Sequence, residues 1–240
     1  MTNPSDNDSR TNHLRAIQDV YHARDSSSVG SIYNPLLAVN VRIVSERQRI
    51  LADLLRDWLG SDRLADKDIL EIGCGTGSNL LNLISLGASP TRLTGNDLMA
   101  SRIEEARLRL PSSVRLNHGD AGELELGAES CDLILQSVCF SSILDDAILN
   151  KVAHRAWTML RPGGVFLSYD FTVNNPRNRD VRGIPVSRIR QLFPKAEITT
   201  RKLTLAPPIA RAIPDRLYPI LSAFPVLRTH AWCLILKPLK

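Results

Sequence analysis

The stretch ILEIGCGTGSNL, residues 69–80, constrains the chain more than any other. Three glycines at alternate positions, Gly73, Gly75 and Gly77, stand directly after a short apolar run and directly before another, behind a carboxylate at Glu71. Glycines are costly to order, so a turn this rich in them is kept where the backbone must take left-handed angles or let a ligand come close. The spacing specifies a short buried strand, a glycine turn and then the helix NLLNLISLG, closed by Gly87.

The same alternation continues along the chain. RLTGND (92–97) reads as a strand, MASRIEEARLRLP (99–111) as a helix with Met99, Ile103, Ala106 and Leu110 on one face, and SVRLNHGD (113–120) as a third strand. CDLILQSVCF (131–140) is a strongly apolar fourth strand. In DDAILNKVAHRAWTML (145–160) a stripe from Leu149 through Val152, Ala156 and Leu160 marks a helix, with its Asp pair at the positive end of the dipole. RPGG breaks that helix, GVFLSYDF (164–171) is a fifth strand, and EITTRKLTL (197–205) and HAWCLILK (230–237) close the chain as antiparallel strands. This order specifies an α/β fold with a doubly wound, mostly parallel seven-stranded sheet, helices on both faces, right-handed crossovers and an antiparallel C-terminal edge.

With 240 residues and 43% hydrophobic content, the chain can bury one large continuous core. The polar opening, residues 1–13, reads as a disordered tail; 14–62 as a helical extension, in which Ile50, Leu51, Leu54, Leu55 and Trp58 recur at helical spacing before Gly60; and 63–240 as the main domain, with 171–230 as an elaboration. No secretory signal or membrane-spanning run is evident, and Cys74, Cys131, Cys139 and Cys233 lack metal or disulfide spacing. A cytoplasmic protein with reduced thiols and no metal is expected. From residue 175 onward, thirteen Lys and Arg face three Asp and Glu, a bias suited to an anionic ligand or to a solvated basic face.

In a sheet of this kind, ligands bind at the carboxyl ends of the strands where the order reverses. The dinucleotide spacing of glycines fits poorly here, since the third glycine falls on Ser78 or Leu80. An acid at Glu71 suits a ligand with a cationic group. At this point the sequence resembles the class I S-adenosylmethionine-dependent methyltransferases, over roughly residues 45–172. EIGCGTG (71–77) has the form of their first motif; Asp97 ends the second strand, GDA (119–121) follows the third, CDLIL forms the fourth, and MLRPGG (159–164) precedes the fifth.

The resemblance implies a Rossmann-like methyltransferase fold and a transferase that converts S-adenosylmethionine to S-adenosylhomocysteine. It places the cofactor against Glu71, Gly73, Cys74, Gly75, Thr76, Gly77 and Asn79 in the turn, and against Asn96, Asp97 and Leu98 after the second strand, with Asp97 on the ribose hydroxyls. Asp120 and Ala121 would meet the adenine, and Gln136 and Ser137 the mouth of the fourth strand. Asp170 in SYDF is the candidate base, with His118 as a second and His230 as a weaker one.

QSVCFSSI (136–143) lacks the Asn-Pro-Pro-Tyr-like tetrad of base and amide methylation, Cys139 lacks a Pro-Cys setting, and aromatics make up only 5%; no nucleic-acid partner is expected. The acceptor expected is a hydroxylated, possibly anionic, small molecule or glycan, methylated on oxygen and met by Asn174, Asn175, Arg177, Arg182 and neighbouring Arg179. The tail after the core is similar, more loosely, to small bacterial methyltransferases of polysaccharide or secondary-metabolite synthesis. Leu217 to Leu227 reads as packing on the sheet, with a lid or peripheral membrane contact as alternatives. Rival functions are a nicotinamide oxidoreductase and a non-catalytic adenosylmethionine-binding subunit.

Overall fold

The computed structural model describes residues 15, 17–20, 34–175 and 178–239. The tail at 1–13 and Arg177 lie outside the described residues.

Leucines four and three apart turn one side of α1 (Ala38–Leu59) inward, so that Leu51, Leu54 and Leu55 are buried, and Gly60 ends it at φ 55°. The helix begins twelve residues before Ile50, where the periodicity becomes clear. Its front half is held by Val39 and Ile43, which pack against residues more than 160 positions away, a support invisible to local pattern. The strand, turn and helix units follow in order: β1 (Ile69–Ile72), α2 (Ser78–Ser85), β2 (Leu93–Asp97), α3 (Ala100–Arg109), β3 (Arg115–His118), β4 (Cys131–Ser137), α4 (Asp146–Met159) and β5 (Leu160–Phe171). α5 (Val186–Leu192), β6 (Glu197–Leu205), α6 (Pro207–Ala212), α7 (Tyr218–Ser222) and β7 (Arg228–Leu236) complete the chain.

The seven strands form one sheet in the order β3-β2-β1-β4-β5-β7-β6. β1 to β5 run parallel, while β7 is antiparallel to both β5 and β6. Alternation along the strands divides the core: Leu133, Leu135, Val165 and Leu167 pack with α1, α2 and α3, whereas Ile134 and Phe166 pack with α4 and α5. As expected, Asp145 caps α4, its carboxylate accepting from the amides of Ala147 and Ile148. RPGG differs from expectation. It lies inside β5, where Leu160 already pairs with Cys131 and the register then shifts before Leu133 meets Val165, so the helix hands over directly to a strand with a bulge.

Because β6 points the same way as β5, the insertion joining β6 to β7 emerges at the carboxyl edge of the parallel strands, the edge that also carries the glycine turn. No helix among the described residues is long and apolar enough to cross a membrane.

Candidate active site

The strand order reverses between β1 and β4, and the glycine turn sits at that point. Gly73, Gly75 and Gly77 all have positive φ, at 70°, 53° and 83°. A Cβ on Gly73 would lie 2.9 Å from the Cβ and Sγ of Cys139, so β4's exit packs directly on the turn. A Cβ on Gly75 would meet no protein atom within 4 Å and would project into the recess the turn faces.

Two adjoining cavities meet there. The first, about 300 Å³, is lined by Gly73, by Asn96, Asp97 and Leu98 after β2, and by Asp120, Ala121, Ser137 and Val138. The second, about 600 Å³, is lined by Cys74, Gly75, Thr76 and Asn79, by Arg47 from α1, and again by Ser137 and Val138. Neighbouring strands therefore bring together the residues expected at the cofactor, with two exceptions among the polar ones: Glu71 and Gln136 lie behind the lining.

Hydrogen bonds lock this wall. Asp97 accepts from the amide of Gly75 at 2.7 Å and from that of Met99 at 2.9 Å, so one carboxylate holds both the turn and the start of α3 while lining the first cavity. Asp120 accepts from the Gly122 amide, and Asn96 donates to the carbonyls of Asn117 and Gly119. Thr76 is held by Arg109, and Cys74 is a buried spacer whose thiol is pushed up by burial.

Glu71 is fully buried. Asn79 donates to its Oε1 at 2.6 Å, its Oε2 has no partner, and burial lifts its pKa to about 8. A buried acid with one unsatisfied oxygen behind a glycine turn fits a ligand that carries a cationic group on this side. Arg47 supplies the opposite charge: it donates to Asn79 Oδ1 at 3.2 Å and lies 5.4 Å above the Tyr169 ring. A zwitterionic amino-acid end fits this pair, and an adenosine fits the first cavity with its two carboxylates.

Gln136 is a correction. It is buried with its side chain on the α4 side of the sheet, where its Oε1 accepts from the amides of Cys139 and Phe140 and its Nε2 donates to Ser168 and Asp170. All four hydrogen-bonding positions are filled, leaving none for a cofactor. Asp170 is likewise drawn inward. Burial lifts its carboxyl to about 7; its Oδ2 accepts from Gln136 and its Oδ1 has no partner, on the face opposite the Tyr169 side chain. It therefore braces the β4 exit and does not face the cavities. His118 ends the edge strand β3, three strands from β4, and contacts the Leu98 carbonyl.

The acceptor residues also move. Arg182 donates to Asp146 at 2.7 Å, Arg188 shares that carboxylate, and the Arg182 amide binds the Ser141 carbonyl. Asn174 accepts from the Gly183 amide. Asn174 and Arg182 thus tie the 172–183 excursion to itself and to α4, because its ends close on each other, and exposed Asn175 lines neither cavity.

Arg47 and Val138 were not expected from the sequence, whereas His230 was. Arg47 precedes Leu51 by four residues on the buried stripe of α1, and a cation on an inward stripe was the available signal. Val138, β-branched and at φ 58°, is strained where it lines both cavities. His230 packs between Tyr169 and Phe171, its pKa lowered to about 4 by burial and then by Arg47.

Residues 69–164 match the methyltransferase-domain family. No curated protein matches the sequence. Among solved structures, a Methanosarcina mazei S-adenosylmethionine-dependent methyltransferase superposes with a TM-score of 0.56 at 18% identity, over 73% of this chain and 94% of its own. One from Mesorhizobium loti gives 0.56 at 16%, over 76% and 95%. The [4+2]-cyclase SpnF gives 0.57 at 15%, over 80% and 82%, so the fold also serves a protein described by another reaction. Residues 69–164 are thus similar to the methyltransferase-domain family, and the chain shares its fold with solved S-adenosylmethionine-dependent methyltransferases.

Proposed function

We propose that the protein transfers a methyl group from S-adenosylmethionine to oxygen on a hydroxylated, anionic small molecule or glycan. The observation that carries the reading is the grouping of Asp97 and Asp120, at the mouths of β2 and β3, around two joined cavities with Arg47 at their rim and buried Glu71 behind the lining. Asp97 is placed to accept from ribose hydroxyls with the lone pairs its two amide donors leave, and Asp120 and Ala121 to meet the adenine. Arg47 is placed to hold a carboxylate, and Glu71 and Asn79 to favour an ammonium.

The cofactor supplies a methyl already activated by a sulfonium charge, so the protein's task is alignment, which can contribute about 7–11 kcal/mol. Ser137 and strained Val138 form the wall shared by the two cavities, and the Gln136–Asp170 network fixes their backbone. On the α1 side, Arg47, Tyr169 and His230 form a cationic and aromatic border, in which an imidazole with a pKa lowered to about 4 stays neutral. Exposed Arg179 supports an anionic acceptor; Arg182, paired with Asp146, does not.

Calorimetry with S-adenosylmethionine, its demethylated product and NAD, followed by a screen of hydroxylated acids and glycans with the product's methylated atom read by NMR, tests the reading. Binding of the first two and transfer to oxygen support it. Binding of NAD alone, or transfer to nitrogen only, overturns it, and cofactor binding with no transfer to any acceptor favours a non-catalytic subunit.

A further inference from the structure

The insertion between β6 and β7 has two faces of opposite character. Inward, Tyr218, Leu221 and Leu227 join Leu205, Val39 and Ile43 in a small separate core, with the Glu46 carboxylate accepting from Tyr218 and the Thr204 amide. Outward, Ile220, Phe224 and Val226 are 58%, 54% and 85% exposed within seven residues. Across the cleft that separates the insertion from the start of α1, Leu36 and Val41 are also exposed, at 86% and 48%. Packing does not account for large side chains held outward on short, proline-started turns, and exposed apolar side chains grouped on one insertion mark an interaction site.

The charge around the patch selects its occupant. Residues 201–228 hold five Lys and Arg and one acid, Asp215, which is bound to Arg42. Arg201, Lys202, Arg211 and Arg216 are exposed, while Arg228 is folded back onto the Ser222 and Lys202 carbonyls. A second copy of the same surface would bring like charges together around the apolar contact. A bilayer carrying anionic headgroups matches both components, apolar side chains entering the interface and cations meeting the headgroups.

We infer that the α6–α7 insertion, with the start of α1, is a docking surface for an anionic membrane, which sets the carboxyl edge of the sheet and its cavities against the lipid. This goes beyond the proposed reaction and does not depend on it, since docking is measured without a methyl acceptor.

The test is co-sedimentation of the full chain with vesicles of phosphatidylcholine alone and of an equal mixture with phosphatidylglycerol, at low and high salt. Expected are binding to the mixed vesicles, little to the neutral ones, weakening by salt, and loss of about tenfold or more in Phe224→Glu/Val226→Glu. Arg211→Glu/Arg216→Glu should produce the same loss while leaving the apolar contacts untouched, and cofactor binding should persist in both variants. Wild-type protein that stays in the supernatant with mixed vesicles, or binding that both variants retain, overturns the inference. So does a concentration-dependent dimer in sedimentation velocity that Phe224→Glu abolishes, since the patch would then be a contact between copies.

Discussion

At the scale of single residues, charge placement carries the site. Asp97 holds the glycine turn and the start of α3 and lines the cavity expected to take the nucleoside. Asp97→Ala should weaken S-adenosylmethionine by about 1.5–3 kcal/mol, as when charge-assisted hydrogen bonds are lost, and unchanged affinity by calorimetry in a folded variant would refute the ribose assignment. Arg47 allows a sharper test, because its proposed partner can be removed from the ligand. Arg47→Ala should lose roughly tenfold to a hundredfold in affinity for S-adenosylmethionine but little for the decarboxylated analogue. Equal losses for both ligands would mean that Arg47 only props Asn79 and Tyr169.

At the scale of elements, the decisive joint is the exit of β4. Gln136 ties that strand to Ser168 and Asp170 of β5 and caps the turn through Cys139 and Phe140, beside the left-handed Val138. Gln136→Leu keeps the bulk but strands two buried amides and a carboxyl, and should cost about 2–5 kcal/mol in urea unfolding; a cost below about 1 kcal/mol would show that water replaces the amide. The 172–183 excursion is a second such joint. Arg182 and Arg188 both pull Asp146 below the usual carboxylate range, so the basic loop is spent on holding itself to the start of α4.

At the scale of the molecule, buried titratable groups set the response to pH. Burial raises Glu71 to about 8 and Asp170 to about 7, so above the ordinary carboxylate range the folded state keeps protons that the unfolded chain has released. Their effect is a stability that falls as pH rises toward those values. His230, lowered to about 4, acts in the opposite sense but only between about 4 and 6.5, since above that it is neutral in both states. Without cofactor, stability should therefore decline from about pH 4.5 to 8, by up to about 1.4 kcal/mol per pH unit for each acid, with His230 offsetting part of the fall below about pH 6.5. Thermal unfolding across that range checks it: Glu71→Gln should flatten the upper part of the decline and Asp170→Asn the lower, and a flat wild-type profile would show that both acids are charged in the folded state.

The fold was legible in the sequence because its determinants are local and periodic: the apolar runs of β1 and β4, the stripe on α4, and a glycine turn whose alternate spacing has few other uses. Strand ends were legible for the same reason, and so Asp97 and Asp120 could be expected at the strand mouths, where both line the first cavity. What only the tertiary structure decided is where a side chain goes once two strands pair. Gln136 and Ser137 are neighbours, yet the alternation of the strand sends the first into a buried network and leaves the second on the cavity wall. Asp170 and Tyr169 part in the same way. Arg47 enters the site because α1 crosses the glycine turn, and the outward face of residues 220–226 exists because Tyr218 and Leu221 found an inward partner in α1. Each of these rests on a contact between residues far apart in the chain, where neither partner's local pattern specifies the other.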